Sequence, residues 1–224
     1  MKLTVQEAAI LLGSNDERVY DWIEDDSLPA QRIRGQYRIN PTELLEWATE
    51  HGFTVTPNAF ARPDDPAMAR SLAEALRAGG IYHRVPGSDL ATVLRNVVTR
   101  LPLDDDADRE ILLQILLARK ALGLVPIGDG IAIPNVRTPV ILATGDSIAA
   151  LPFLIDPLPI DAPDGKPVDT LFFLICPTVH AHLAMLAKLA FCLKAAPFRD
   201  AVRRRASAED LLRICAATEG ANNP

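Results

Sequence analysis

Few side chains in this 224-residue chain have the type and spacing that support chemistry. Histidine is the side chain whose ordinary pKa lies near neutral pH, and the chain has four. His182 stands at the start of a predicted long helix, where an imidazole either holds a backbone partner or serves a site. His51, His83 and His180 lie in no motif, and we expect them on the surface. Gly128 and Gly130 alone are weak evidence for a phosphate loop, so we interpret them as turn residues before a strand.

The cysteines and the overall composition exclude several classes of protein. Cys176, Cys192 and Cys215 form no CxxC pair or other metal-ligand spacing, so we expect three buried free thiols and no metal site. The net charge of −6 gives no overall basic footprint for nucleic acid. No basic-then-apolar leader opens the chain, and the longest apolar run, Leu171 to Cys176, is far shorter than the roughly 18 residues of a membrane helix. We therefore expect a cytoplasmic protein with no membrane segment and no cofactor.

The first 52 residues predict a compact, mainly helical unit with a small wing. Thr4, then Ser14 or Asn15, and finally Asn40 are placed to cap three successive helices. Between the second and third helix, residues 31–39 predict two short strands around Gly35. Apolar residues recur at helical spacing in each predicted helix, so the unit can form a small core of its own.

Beyond residue 52 the sequence pattern changes twice. Residues 53–78 contain three prolines with no clear period and predict a linker that ends in one short helix. From residue 79 to 220, apolar segments bounded by Pro, Gly or Asp alternate with longer helical patterns, which predicts an α/β layered domain. The predicted strands are 81–85, 131–133, 140–143, 148–155 and 168–176, and the predicted helices are 88–101, 104–122 and 178–195, with two shorter ones after them.

The N-terminal pattern resembles the excisionase-like branch of the MerR-type helix-turn-helix modules over residues 1 to about 50. The resemblance rests on Thr4-Val-Gln-Glu-Ala-Ala, Val19-Tyr-Asp-Trp-Ile23, Leu28-Pro-Ala and Tyr37-Arg-Ile39. It implies that the outward face of the second helix enters a major groove and that the wing meets phosphates. The DNA-contacting residues it implies are Asn15, Arg18, Arg32, Arg34 and Arg38.

The charge of this module opposes easy DNA binding. Residues 1–52 contain five basic and ten acidic residues, so the module is net −5. Non-specific affinity depends on the number of phosphates that a protein neutralises, and an acidic recognition helix repels them. Two interpretations therefore stay open. The module binds DNA, with a homodimer to double the contacts, or it contacts another protein.

Residues 79 to 220 resemble the fructose/mannitol-type and nitrogen-regulatory IIA domains of the bacterial phosphoenolpyruvate-dependent phosphotransferase system, the nitrogen-regulatory type in particular. The resemblance spans the domain through Leu117-Ala-Arg-Lys-Ala-Leu-Gly123, Ile127-Gly-Asp-Gly-Ile-Ala-Ile-Pro134, Ala162-Pro-Asp-Gly-Lys-Pro-Val168 and Ala181-His-Leu183. It implies a three-layer α/β/α sandwich around a mixed sheet, preceded here by the winged helix-turn-helix unit.

In that family a histidine follows the Ile-Pro pair and accepts a phosphoryl group from the phosphohistidine of a small carrier, HPr or its nitrogen-branch relative. Here that position is Asn135. The lone pair of an amide nitrogen is delocalised into the carbonyl, so Asn135 is no nucleophile, although it can hydrogen-bond like a neutral imidazole. Two more departures accompany it: Leu124-Val125-Pro126 replaces a hydroxyl-bearing turn, and Lys120 replaces a glutamate. The resemblance thus implies a domain that has lost phosphorylation.

Other parts of the family's site are matched. Arg119 matches the arginine near the phosphoryl group, and its planar fork suits an oxyanion. His182 matches the family's second histidine, which favours a site role over the helix-start alternative. Arg137 follows the motif and faces either the pocket or solvent. The implied site is Asn135, His182 and Arg119, and with Arg137 these residues are expected to bind an anion weakly, helped by a protonated His182.

Three functions remain open at this point. The first is a regulator that docks an HPr-like carrier, a IIB-like protein or a regulatory target, and that passes the signal through the helix-turn-helix unit to DNA or protein. The second is an active phosphocarrier using His182, which in-line transfer disfavours because the donor would have to approach from another direction. The third is an engineered His-to-Asn variant of an active protein. If the protein is a regulator, the first of these functions, no enzyme activity is expected.

Overall fold

The computed structural model describes residues 2–25, 27–33, 35–53, 70–103, 106–118, 124–134, 146–160, 162 and 164–221. In these ranges the helices are α1 (Val5–Leu11), α2 (Asp16–Glu24), α3 (Pro41–Glu50), α4 (Leu72–Gly79), α5 (Leu90–Val98), α6 (Asp106–Ala118), α7 (Val179–Lys194), α8 (Ala196–Arg203) and α9 (Ala208–Gly220). The strands are β1 (Gln31–Ile33), β2 (Gln36–Arg38), β3 (Ile81–Val85), β4 (Leu124–Gly128), β5 (Ile131–Pro134), β6 (Ile148–Leu158), β7 (Val168–Leu171) and β8 (Phe173–Ile175). The strand predicted at 140–143 lies outside the described residues.

Side-chain caps begin the three N-terminal helices. The side chains of Thr4, Asn15 and Asn40 each accept a hydrogen bond from a backbone N–H in the first turn of the helix that follows. β1 and β2 pair as an antiparallel hairpin, and a single bridge between Leu3 and Ile39 ties this hairpin to the start of the chain. The three predicted helices and the wing are therefore confirmed, with Asn15 rather than Ser14 as the second cap.

In the described residues, the second domain is built on a mixed sheet of six strands. Its order is β3-β6-β7-β5-β4, and β8 also pairs with β6. The β3/β6 and β5/β7 pairs are parallel, whereas β4/β5, β6/β7 and β6/β8 are antiparallel. β6 is long enough to pair with β8 near its start and with β7 further along. Phe172 separates β7 from β8, so the single strand predicted over 168–176 is two strands.

The segment Leu124-Val125-Pro126, which replaces the family's turn, is part of strand β4, and no strand had been predicted there. Pro126 lies opposite Ala132 in the antiparallel β4/β5 ladder. A proline cannot donate a ladder hydrogen bond, and β4 tolerates one because it is the outermost strand among those that the structure describes. The turn comes immediately afterwards, where Gly128, Asp129 and Gly130 have φ values of 90°, 54° and 74°. The interpretation of the two glycines as turn residues is confirmed.

Helices cover both faces of the sheet. One buried cluster joins the sheet to α4, α7, α8 and α9, and the other joins its opposite face to α5 and α6. The predicted three-layer α/β/α sandwich is therefore confirmed. α4 lies in the region predicted as linker, yet it packs on β6 and α9. Its first turn donates two N–H hydrogen bonds to the Glu219 carboxylate, at 2.7 Å from Leu72 and 3.0 Å from Ala73.

The third helix of the N-terminal unit is buried between the two domains. Leu44, Leu45 and Ala48 are fully buried, and α3 contacts both α7 and β4. The apolar cluster on this face of the sheet runs without interruption into the core of the helix-turn-helix unit. The N-terminal unit is thus docked on the α/β domain through α3, whereas α2 packs on α1.

Within the described residues, no single helix is long and apolar enough to cross a membrane, although α7 and α8, bent by 87° with respect to each other, would together reach that length and composition.

Candidate functional site

His182 is held at the N-terminal end of α7 by a side-chain cap. β8 leads into Thr178, whose hydroxyl accepts a hydrogen bond from the N–H of Ala181 at 3.1 Å. The N–H of His182 in turn donates to the Thr178 carbonyl at 3.0 Å. This capped first turn fixes the backbone of His182 and carries its side chain toward the sheet, where only 5% of the residue is exposed.

The imidazole of His182 lies in a small apolar pocket. The pocket is lined by α6, by the end of β5 and by β8, through Leu112, Leu116, Ile133, Pro134, Phe173, Leu174 and Ile175. The Nδ1 atom of His182 is buried and has no hydrogen-bond partner among the described residues. A buried nitrogen without a partner is costly, so this atom of His182 stays a candidate for a site role.

Burial lowers the pKa of His182 from 6.5 to about 4, because the apolar pocket penalises the charged imidazolium. The side chain is therefore neutral at neutral pH. It can offer one N–H donor and one lone pair, but no positive charge. The expectation that a protonated His182 helps to hold an anion near neutral pH is wrong for this reason.

Arg119, Asn135 and Arg137 lie outside the described residues, and so does Lys120. The elements that lead to them are described. α6 ends at Ala118, one residue before Arg119, and β5 ends at Pro134, one residue before Asn135. Leu116 of α6 and Pro134 of β5 both line the pocket that holds His182. The described chain thus brings the ends of both elements to the histidine.

The Gly128–Gly130 turn is braced by the loop that carries the third family segment. The N–H of Asp129 donates to the Asp164 carboxylate at 2.7 Å, and Lys166 Nζ donates to the Asp129 carboxylate at 2.8 Å. These bonds hold the pKa values of both carboxyl groups below their usual range. The Asp129 amide is therefore engaged by Asp164 and is not free to bind a phosphate, and the neighbouring loop braces the turn. Sequence reasoning had assigned no role to either aspartate, although both stand in the quoted family segments.

Basic side chains of the helix-turn-helix unit lie on aromatic rings. The guanidinium of Arg18 lies 5.5 Å from the centre of the Trp22 ring, and that of Arg32 lies 5.8 Å from the centre of the Tyr37 ring. Arg38 donates to the Gln36 side chain at 2.7 Å. These contacts keep three of the predicted DNA-contacting cations at the surface of α2 and the wing, and Arg34 lies outside the described residues.

The exposed face of α2 is acidic. Its exposed carboxylates come from Asp16, Glu17, Asp21 and Glu24, and Asp25 follows as the C-cap. Asn15, predicted to read DNA, uses its side-chain oxygen as the helix cap toward the N–H of Arg18 at 3.0 Å. Tyr20 and Ile33 add apolar area, with 44% and 43% of each residue exposed. The surface therefore combines an acidic helix with a basic wing.

The described part of the chain holds no group of three or more His, Cys, Asp or Glu side chains that could bind a metal ion. The three cysteines are buried free thiols, as expected. Burial raises the pKa of Cys176 to about 11, so this thiol stays protonated.

The two domains match two known families. Residues 76–217 match the family described as phosphoenolpyruvate-dependent sugar phosphotransferase system, EIIA 2, and residues 3–52 match a helix-turn-helix domain.

A nitrogen regulatory protein of Pseudomonas aeruginosa is 34% identical over 146 residues, which are 64% of this chain and 93% of that protein. A nitrogen regulatory protein of Escherichia coli is 31% identical over 116 residues, which are 50% of this chain and 68% of that protein. The crystal structure of the nitrogen regulatory protein IIA-Ntr from Neisseria meningitidis is 25% identical, with a TM-score of 0.48, and covers 60% of this chain and 91% of that one. The chain therefore belongs to the EIIA 2 family of the phosphotransferase system, and it carries a helix-turn-helix domain at its N-terminus.

Proposed function

We propose that this protein is a IIA-like transcriptional regulator that has lost the capacity to be phosphorylated. The observation that carries the proposal is the sequence Ile133-Pro134-Asn135, in which an amide stands where the family resemblance puts the phosphate-accepting imidazole. An amide nitrogen cannot attack a phosphohistidine, since its lone pair is not available. In this proposal the domain docks an HPr-like carrier, a IIB-like protein or another regulatory target, and acts as a pseudoenzyme in the cytoplasm.

The alternative of an active phosphocarrier through His182 has less support. Only 5% of this residue is exposed, and its Nδ1 atom faces an apolar pocket. Phosphoryl transfer needs the acceptor nitrogen in line with the donor phosphorus, so a partner's phosphohistidine would have to enter that pocket. A neutral imidazole has the lone pair for this reaction, but access to it is closed by the surrounding side chains.

A transfer assay tests the proposal. The full chain is incubated with radiolabelled phosphoenolpyruvate, enzyme I and the histidine carrier, and labelling of the carrier serves as the positive control. We expect a labelled carrier and an unlabelled chain. Labelling of the wild type that disappears in His182→Ala would establish the phosphocarrier alternative instead.

For the output of the helix-turn-helix unit we propose DNA binding by a dimer, through Arg18 of α2 and through Arg32, Arg34 and Arg38 of the wing. Support comes from the way in which the unit is docked. α3 packs against the α/β domain, whereas α2 packs on α1 and keeps an exposed face on which DNA could bind. The acidic α2 makes the intrinsic affinity low, so two half-sites would be needed for useful binding. Binding should fall steeply with salt, because each neutralised phosphate contributes a slope of about −0.9 in log affinity against log salt.

A protein-contact role for the same surface is favoured by one observation, the carboxylate-rich face of α2 beside exposed Tyr20. A gel-shift series with mixed-sequence DNA at low salt separates the two roles. For the DNA role we expect a shift that the double variant Arg32→Ala, Arg38→Ala weakens and that Arg77→Ala, on α4, leaves intact. A monomer that shifts no DNA at low salt would favour the protein-contact role.

A further inference from the structure

A second crevice lies where the helix-turn-helix unit meets the α/β domain. Its free volume is about 200 Å³, and it is partly open to solvent. Its walls come from three places: the end of α3 with the residues after it, the β4–β5 turn with its flanking strands, and the junction of α7 with α8. The described lining residues are Thr49, Gly52, Phe53, Ile127, Gly128, Asp129, Ile131, Ala190, Leu193, Lys194 and Arg199. Ligand sites occur preferentially at boundaries between domains, and this volume has room only for a small molecule.

This crevice is separate from the pocket of His182. Both are lined by α7, but His182 lies in its first turn and Lys194 is its last residue. Twelve residues of α-helix separate them, which is about 18 Å at 1.5 Å per residue. A ligand in the crevice would therefore touch neither His182 nor the end of β5, and it would instead bridge the two domains.

The electrostatics of the crevice favour an anion. Its one acidic residue within the described lining, Asp129, is already balanced by Lys166 at 2.8 Å and by Arg203 at 3.7 Å. Lys194 and Arg199 add two positive charges. Asp164 and Asp200 also lie near Lys166 and Arg203, at 3.6 Å and 3.8 Å. Of these groups, only Asp129, Lys194 and Arg199 are in the described lining, and Lys194 already has an interaction of its own, so the cation that the proposal uses is Arg199.

Arg199 is the group best placed to bind such an anion. Its guanidinium takes part in no hydrogen bond or salt bridge with the described residues, although its charge acts on Asp129. Its planar fork can grip a carboxylate or phosphate through two N–H groups. α8 begins between Lys194 and Arg199, and its second residue, Pro197, has no N–H, so the proposal relies on the Arg199 side chain and not on the end of this helix.

The remaining lining is mixed, with Thr49 and two glycines beside apolar residues. Phe53 and Ile127 are half-buried and offer apolar side chains to a ligand, whereas Ile131, Ala190 and Leu193 are buried beneath the crevice surface. We propose that this crevice binds a small organic anion, a carboxylate or a phosphate ester, with its charged group on Arg199 and its apolar part against Phe53. Such a ligand would hold the helix-turn-helix unit on the α/β domain, since it would contact both.

The chain contains its own reporter for this site. Its two tryptophans, Trp22 and Trp47, both belong to the helix-turn-helix unit. The Phe53 ring lies 4.8 Å from that of Trp22 and 5.0 Å from that of Trp47, measured between ring centres. A ligand that contacts Phe53 should therefore change tryptophan emission, whereas an anion near His182 should leave it unchanged.

The test is a fluorescence titration of the full chain with phenyl phosphate and with benzoate, and with benzyl alcohol and inorganic phosphate as partial probes. We expect saturable emission changes with the two aromatic anions, at millimolar order for ligands this small, and far weaker responses to the partial probes. Arg199→Ala should weaken the affinity about tenfold or more, and Arg199→Lys should have a smaller effect because it keeps the charge but loses the fork. Arg77→Ala and Arg119→Ala should respond like the wild type.

Three results with the wild type and Arg199→Ala would overturn the proposal, and a fourth comes from Arg119→Ala. They are an emission that no aromatic anion changes, an affinity that Arg199→Ala leaves intact, or benzyl alcohol binding as well as phenyl phosphate. The variant Arg119→Ala separates this test from the proposal that phosphorylation is lost. If its emission no longer responded to the aromatic anions, the anion would bind in the IIA pocket instead.

Discussion

Acidification should destabilise the folded protein through one buried imidazole, that of His182. Its pKa falls from 6.5 to about 4 because of burial, so the folded state takes up a proton less readily than the unfolded chain. Stability from this group is complete above the unfolded pKa and is lost as the pH falls toward the folded pKa. At about 1.4 kcal/mol per pKa unit, the loss reaches roughly 2 kcal/mol near pH 5 and about 3 kcal/mol near pH 4.

The assay is chemical denaturation at about pH 7 and about pH 5 for the wild type, His182→Leu and His182→Gln. Both variants remove the titrating group. Between the two pH values, the loss in their free energy of unfolding should therefore be smaller than the loss in the wild type by roughly 2 kcal/mol. Leucine also suits the apolar pocket, and glutamine guards against a packing effect peculiar to leucine. His83→Gln, a matched change at an exposed histidine, should keep the wild-type profile. An equal loss in the wild type and in both His182 variants would refute the assignment of a buried neutral imidazole.

Three further outcomes follow from the structure and the proposed function. Asn135→His alone should not restore efficient labelling in the transfer assay, because the hydroxyl-bearing turn of the family is replaced by the Leu124–Pro126 part of β4, and near-normal labelling would mean that the pocket is otherwise intact. The IIA pocket should bind phosphate weakly, with a dissociation constant of millimolar order, or about 4 kcal/mol. Calorimetry should detect no phosphate binding in Arg119→Ala, and in the wild type the affinity should not change with the protonation of His182 around neutral pH. Full-strength binding by Arg119→Ala would locate the pocket elsewhere. Gly79→Ala should destabilise the fold by about 1–3 kcal/mol, since its Cβ would lie 2.2 Å from the carbonyl oxygen of Ala149; Gly220→Ala, with open space around it, is the control for thermal unfolding.

Local chemistry made the helix starts and the layer order predictable. Thr4, Asn15, Asn40 and Thr178 have side chains that satisfy first-turn N–H groups, and each caps the helix expected there. The alternation of apolar strands with covering helices likewise indicated the α/β sandwich. Short-range rules failed at β4, because Pro126 argues against a strand unless its place at the sheet edge is known.

Long-range packing was beyond the sequence pattern. Nothing local to α3 reveals that Leu44, Leu45 and Ala48 bury themselves against α7 and β4, so neither the docking of the two domains nor the crevice of Arg199 could be predicted. The family resemblance drew attention to His182, but its pKa depends on side chains from α6, β5 and β8 that meet only in the folded chain. Resemblance supplied the candidate position, and packing decided its protonation.

The central claim is that the phosphate-accepting function is lost, and the intact mass of the full chain tests it most directly. The protein is incubated with phosphoenolpyruvate, enzyme I and the histidine carrier, and its mass is measured under conditions that preserve phosphohistidine. We predict an unchanged mass for this chain beside a phosphorylated carrier in the same sample. A mass increase of one phosphoryl group on the chain would contradict the account.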